Sequence, residues 1–312
     1  MLIQRLHLKK LLSFNDSAIE LGPLNVLIGP NAVGKSNLIE AVGLLQAAPT
    51  GLAGAILRGG GIRQWLWLGG PVPSPIASIE CELQLRSNRQ IAGHQVDQVA
   101  YRLEFSENAN GFVILNERLA NTHAERKNGG VYLDRASFNF SPTESLLSQY
   151  KNPADKTPVT EVGKQLARIK IFREFKTGPQ SAARYGTSTS IAKDGLLDGG
   201  DNLALVLLDL DFLGAHDGIQ SYLRRFCERF DDVKVDVGQG LARTFLREAG
   251  LQEMLSAIRM SDGTLKFLSL LAALFHPARP GLMCIEEPEI GLHPDALQQW
   301  RRLWQRLPSP CS

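Results

Sequence analysis

The sequence predicts an α/β fold, a mixed sheet with an antiparallel β lobe and a helical insertion. Three observations carry that expectation. A glycine loop, Gly29-Pro30-Asn31-Ala32-Val33-Gly34-Lys35-Ser36, stands between a short apolar segment and a run with helical spacing. Several segments between Ala77 and Leu119 alternate apolar and polar at period two, the pattern of strands with one wet face. Far downstream, the apolar Leu282-Met283-Cys284-Ile285 runs into Glu286-Glu287-Pro288-Glu289, a strand ending in carboxylates.

In order along the chain, Leu2 to Leu8 mixes alternation with charge and reads as a strand, and Ala18–Leu21 reads as a second strand returning toward Gly22-Pro23. Leu24-Asn25-Val26-Leu27-Ile28 is short and apolar enough for a buried strand, and the helix after the glycine loop extends from Ser36 to about Gln46. The glycine-rich passage from Arg58 to Gly70 means either a loop or a close backbone approach. Ala77–Leu85, Val99–Phe105 and Gly111–Leu119 predict an antiparallel meander, with Val131–Asp134 as one more short strand. Helical spacing follows at Ser145–Tyr150, Val159–Ile171, Asp201–Leu208, Ile219–Phe230 and Leu241–Met254, with a short polar-apolar segment at Val233–Val237. Leu265–Phe275 is an apolar helix, and Asp295–Leu307 a final amphipathic one. This divides the 312 residues into a lobe over 1–140, a mostly helical insertion over 141–256 and a C-terminal segment over 257–312.

Composition narrows the function. At 44% hydrophobic the chain can bury a large core, and a net charge of +2 gives no support for a polycationic nucleic-acid binder. Cys81, Cys227, Cys284 and Cys311 are scattered without a C-x-x-C pair, so reduced thiols are the default. No apolar run approaches the ~20 residues that span a bilayer. The charged N-terminus lacks the apolar centre of a signal peptide, so a cytoplasmic protein without a membrane partner is expected.

The glycine loop has the complete G-x-x-x-x-G-K-S/T spacing of a P-loop in the strand–loop–helix context the motif requires. Gly29 and Gly34 allow the backbone to curl its N–H groups around a phosphate at a helix N-terminus. Lys35 can reach the β- and γ-phosphates, and the Ser36 hydroxyl can ligate Mg²⁺. A nucleoside triphosphate is the expected ligand. By themselves, Glu286 to Glu289 also read as a solvated acidic turn. Beside a P-loop they read as its second half, with Glu286 on Mg²⁺ and Glu287 orienting and deprotonating the attacking water. Ser261-Asp262-Gly263-Thr264 reads equally as a turn with an N-cap or as an anion site.

Three motifs together, Gly29 to Asn37, Ser261 to Thr264 and Ile285 to Pro294, resemble those of the RecF/SMC-like, ABC-type AAA ATPases of bacteria. The ATPase halves of overcoming-lysogenization-defect nucleases belong to that branch, and Asp198-Gly199-Gly200-Asp201-Asn202-Leu203-Ala204 is similar to a stretch recurring there. The resemblance covers nearly the whole chain. It implies a P-loop NTPase head of the ABC type that binds ATP and Mg²⁺, hydrolyses ATP and forms a homodimer over it. In such a dimer Ser261 and Gly263 would cap the partner's γ-phosphate. Nucleotide contacts would come from Gly29, Pro30, Asn31, Ala32, Val33, Gly34, Lys35, Ser36 and Asn37, metal contacts from Ser36 and Glu286, and catalysis from Lys35 and Glu287. DNA and an effector protein are the implied partners, in DNA repair, recombination or defence against foreign DNA.

The sequence departs from the family's pattern at three points. Glu286 stands where an aspartate is usual. The glutamine that contacts Mg²⁺ has no clear counterpart beyond Gln64, and Trp65 and Trp67 beside it read as packing residues. The sequence ends at Ser312, before the strand and switch histidine that such heads carry, and His293 does not match that histidine. Poor hydrolysis by the isolated chain is therefore expected. A nucleotide-dependent dimerisation switch or binding module is the alternative.

Overall fold

The computed structural model describes residues 2–70, 75–85, 90–91, 94–95, 98–122, 130–137, 140–150, 157–192 and 194–292. The expected helix Asp295–Leu307, His293 and Cys311 lie outside them. Contacts among the described residues divide the chain into two units, the first within Met1–Ile169 and Pro280–Leu282, the second within Lys170–Arg279 and 283–292.

The first unit is built on hairpins. β1 (Ile3–Leu11) and β2 (Phe14–Glu20) pair antiparallel, and β1 also pairs with β3 (Ala77–Gln84). Between β2 and β3 run α1 (Lys35–Ala47), α2 (Leu52–Arg58) and α3 (Ile62–Trp65). β4 (Gln90–Ile91) and β5 (His94–Gln95) form a two-residue ladder, and β6 (Gln98–Asn108), β7 (Gly111–Asn121) and β8 (Val131–Asp134) complete the meander. The resulting six-stranded sheet has the order β2-β1-β3-β6-β7-β8, all antiparallel. Its alternation is the reason it forms. Leu6, Leu8 and Leu11, then Ile79, Cys81 and Leu83, then Tyr101, Leu103 and Phe105 are all buried. Each such large apolar side chain contributes roughly 1.5–3 kcal/mol.

Two short helices follow the meander, α4 (Leu146–Gln149) and α5 (Val159–Ala167). The start of α4 is anchored on Glu117 of β7, fully buried. Its carboxylate accepts from the Tyr101 hydroxyl at 2.8 Å, the Ser145 hydroxyl at 2.6 Å and the Leu146 N–H at 2.7 Å, with the Arg135 guanidinium 3.5 Å away. Burial, and next the Glu117 charge, push the Tyr101 phenol well above its ordinary pKa. Gln46 of α1 donates to the Ile169 carbonyl at 2.6 Å, tying the glycine-loop helix to the end of this segment.

One expectation fails here. Leu24–Ile28 is not a buried strand: it pairs with no strand among the described residues, and Ile28 is 90% exposed. The Asn25 side chain bonds back to both N–H and C=O of Gly22, a local turn that competes with extension, and without a ladder the apolar side chains have nothing to pack against. The glycine-rich passage from Arg58 holds the end of α2 and all of α3, and it is a close backbone approach, as one of its two readings expected: a Cβ on Gly59 would stand 2.5 Å from the Trp65 ring and one on Gly69 2.4 Å from the Trp67 ring. Trp65 is buried there, its indole donating to the Ile56 carbonyl at 3.1 Å, a packing role as expected.

The second unit opens with β9 (Lys170–Phe172), α6 (Ala182–Tyr185) and β10 (Thr187–Ser188), followed by α7 (Leu203–Phe212) and α8 (His216–Phe226). Next come β11 (Phe230–Gly238), β12 (Leu241–Glu248), β13 (Leu255–Ser256), α9 (Asp262–Phe275) and β14 (Met283–Ile285). A helix over Leu241–Met254 was expected, and the chain instead forms the β11–β12 hairpin within a four-stranded sheet. Period two decides it, since Ala242, Thr244 and Leu246 are buried in alternation, and the two-residue turn at Gln239 (φ 55°) and Gly240 (φ 75°) matches the strands' twist. The helical reading of Val159–Ile171 is also cut short. Lys170–Phe172 is strand β9, paired parallel with β14. α9 is the core of this unit, with Leu265, Phe267, Leu268, Leu270, Leu271 and Leu274 all buried.

Replacing Tyr101 with Phe takes one donor from a buried carboxylate. The substitution is expected to lower the unfolding free energy by about 1.5–3 kcal/mol, measured by urea denaturation. A change within experimental error would mean that Glu117 does not depend on this contact.

Candidate functional site

The expected site residues fall in both units. Gly29 to Asn37 belong to the first, and Ser261, Gly263, Glu286 and Glu287 to the second.

In the first unit, Gly34 is the N-cap of α1 with φ 98°, and no side chain caps the helix. The first-turn N–H groups of a helix have no partner within it, so this end keeps its donors and the positive end of its dipole. Only glycine fits. The conformation is left-handed, and a Cβ at Gly34 would lie 2.7 Å from the Ser13 hydroxyl in the β1–β2 turn. Ala32 is left-handed as well, with φ 64°. The half-buried Lys35 turns its ammonium back along the loop, donating to the Gly29 carbonyl at 2.6 Å and the Pro30 carbonyl at 2.7 Å. Pro30, Asn31, Val33 and Ser36 are exposed, and Asn37 is half-buried. Gln64 is exposed on α3, while Trp67 receives the Lys10 ammonium over its ring at 4.1 Å.

The donor set suits a triphosphate. A loop of backbone N–H groups at an uncapped helix N-terminus, with an ammonium beside it, is a cradle for anionic oxygens.

In the second unit, β14 delivers Glu286 at its C-terminal end. The Glu286 N–H donates to the Phe172 carbonyl at 2.9 Å, continuing the parallel ladder with β9 by one residue. The carboxylate is largely buried, with the Arg173 guanidinium 3.8 Å away. Burial, and next the Glu286 charge, push the neighbouring Cys284 thiol up to about 11, which keeps it protonated and inert. Glu287 follows with its side chain exposed and φ 45°. A left-handed non-glycine residue costs roughly 1–2 kcal/mol, so the surroundings must hold it. They do so through Lys266 of α9, whose ammonium donates to the Glu287 and Ile290 carbonyls, each at 2.8 Å. Burial pushes the Lys266 pKa down, while Glu289 and Glu287 pull it up.

Ser261 is the N-cap of α9. Its hydroxyl accepts from the Thr264 N–H at 3.1 Å and lies 2.8 Å from the Thr264 hydroxyl, so the local N-cap is present. A Cβ on Gly263 would stand 2.3 Å from the Gly291 carbonyl oxygen, so the loop after β14 lies directly against the start of α9. Arg184 secures the approach to the helix, donating to the Met260 carbonyl at 2.6 Å and to the Ala257 and Ile258 carbonyls at 3.2 Å, with its other nitrogens on Thr177 and Asp262.

Lys266, Arg173, Arg184 and Ser13 were not among the expected site residues. Lys266 left one signal in the sequence, a lone cation within the apolar run Leu265–Phe275. The passage Asp198–Ala204 is structural, because buried Asn202 accepts from the Leu197 N–H and donates to the Ala192 and Gly195 carbonyls, folding the loop before α7.

For Mg²⁺ the expected donors are oxygens, the Ser36 hydroxyl and the Glu286 carboxylate. These hard ligands suit an ion that keeps waters and phosphate for its remaining positions. Among the described residues there is no cluster of three or more His, Cys, Asp or Glu that would make a separate metal centre, and no helix is long and apolar enough to cross a membrane.

No curated protein matches the chain. Among solved structures, the head of SMC bound to the C-winged helix domain of ScpA superposes with a TM-score of 0.58 at 13% identity, covering 97% of this chain and 85% of that one. An SMC head with an extended coiled coil, from Pyrococcus furiosus, gives 0.54 at 14% identity, covering 97% and 86%. The fold is that of these SMC head domains. Over residues 24–307 the sequence matches the family described as "AAA domain, putative AbiEii toxin, Type IV TA system", and the chain belongs to that family.

Proposed function

We propose that the chain binds ATP with Mg²⁺ and hydrolyses it to ADP and phosphate, working as a head that dimerises on ATP. The observation that carries this reading is the uncapped N-terminus of α1 with the Lys35 ammonium held beside it. Backbone N–H groups between Gly29 and Asn37, except at Pro30, which has none, bind the phosphates, and Lys35 exchanges its carbonyl partners for phosphate oxygens. Ser36 and Glu286 are the residues that would contribute oxygens to Mg²⁺, which would offset the charge of the phosphate oxygens. Water attacks the γ-phosphorus as the bond to the bridging oxygen breaks. Glu287, exposed at the end of β14, takes the water's proton, and ADP leaves.

Across a homodimer, Ser261 and Gly263 at the start of α9 face the partner's γ-phosphate. Membership of this family and the SMC-head fold support a cytoplasmic role in DNA repair, recombination or defence against foreign DNA, with DNA and an effector protein as partners. The SMC head bound to a ScpA domain is an instance of such a head engaging a second protein.

Two measurements test this. Lys35→Ala removes the loop's ammonium and is expected to weaken Mg-ATP binding by roughly 2–4 kcal/mol in calorimetry. Equal binding by both proteins would refute the phosphate-loop assignment. Glu287→Gln keeps the shape but removes the base, so turnover should fall by about 10²–10⁴-fold. With ATP, this variant should also accumulate as a dimer in light scattering. A monomer under those conditions would refute the two-headed arrangement and leave nucleotide binding standing.

A further inference from the structure

Within the second unit, α9 and the loop after β14 are joined at two points, and both involve residues near the proposed base. Lys266 sits one turn into α9, half-buried among apolar neighbours, and spends its ammonium on backbone carbonyls rather than on a carboxylate. The acceptors are Glu287 and Ile290, each at 2.8 Å. Those carbonyls belong to the turn in which the Ile290 N–H returns to the Glu287 carbonyl at 3.2 Å. The turn starts with Glu287 in the left-handed region at φ 45°, an arrangement that persists only where the surroundings over-determine it. The second point is Gly263, which touches the same loop so closely that a Cβ would stand 2.3 Å from the Gly291 carbonyl oxygen.

We infer that Lys266 is a positioning residue for Glu287, a latch that holds the turn Glu287–Ile290 and so fixes where the base presents its carboxylate. The latch has a second consequence. Ser261, Gly263 and Lys266 ride on one rigid helix, so a displacement at the start of α9 reaches the Glu287 backbone through Lys266 and Gly263 without any intervening flexible segment. A partner's nucleotide seated on Ser261 would thereby set the geometry of this chain's own base. The inference rests on the ATPase reading for the role of Glu287, while the latch itself is a feature of the fold.

The test uses the full chain and two readouts. In Lys266→Met the stem remains and the donors go. Amide hydrogen exchange over 287–292 is expected to accelerate by about tenfold or more, and kcat to fall by about 10–100-fold with KM for ATP within about twofold, the signature of a misplaced catalytic group. Lys266→Arg, which keeps donors within reach of both carbonyls, should restore most of the protection and part of kcat. Unchanged exchange in Lys266→Met overturns the latch. Faster exchange with unchanged kcat overturns the positioning role. If Lys266→Met does not fold, Lys266→Gln is read in the same way, since its shorter amide cannot bridge both acceptors. Wild-type chain that binds ATP without turnover would defeat the hydrolytic reading, and hydrogen exchange alone would then decide the latch.

Discussion

The phosphate loop depends on one constraint, that Gly34 can have no side chain. Its left-handed backbone lets the chain turn from the loop into α1 without a capping residue, and the Ser13 hydroxyl fills the space a Cβ would need. An ordinary helix start would spend a serine or aspartate on the first-turn N–H groups, as Ser261 does on α9. At α1 no side chain takes those donors, which is what the proposed phosphate site requires. The two helix starts thus have opposite designs, one open and one self-capped. The difference follows from a glycine in one sequence and a serine in the other.

Much of the first unit was legible because a sheet with one buried face writes its pattern into alternate residues. Val131–Asp134 is a strand with the bounds expected, and Ala77, Gln98 and Gly111 each begin a strand within one residue of expectation. Leu24–Ile28 shows the limit of that logic. Apolar composition says that a segment could be buried, but burial needs a neighbour, and Asn25 folds the chain back on Gly22 instead. The β11–β12 hairpin was misread for the converse reason. Leu241 to Met254 contains charged residues at spacings that fit a helical face, while the deciding signal was the Gln239-Gly240 turn.

The expected site residues stand in the sequence as motifs, and the groups that surround them do not. Spacing picks out Gly29 to Ser36 and Glu286-Glu287 because the chemistry demands those residues in that order. The groups that hold them come from distant positions: Ser13 beside Gly34, Arg173 beside Glu286, and Arg184 under the carbonyls before Ser261. Each is a cation or hydroxyl whose meaning is fixed only by what it touches. A single sequence contains no record of that contact.

A common device runs through these supports. Lys35, Arg135, Arg184 and Lys266 all donate to backbone carbonyls in loops, where no ladder satisfies them. A loop near a helix start leaves several acceptors close together, and an ammonium or guanidinium can serve more than one of them. A hydrogen bond to a charged group is worth roughly 1.5–3 kcal/mol, about twice the usual value, so one side chain can replace a missing pair of ladder contacts. The cost is that such a clamp is exchangeable. For Arg184, which is mostly buried, the carbonyls have no competitor and the clamp is structural. Lys35 lies beside the uncapped end of α1, where an anion is the stronger partner. There the same bonds hold the loop in shape, and under the proposed function they would be exchanged for bonds to phosphate. Arg184 and Lys35 thus differ in what could displace them: one is enclosed among its acceptors, while the other stands at an uncapped helix end where an anion would compete with the carbonyls for it.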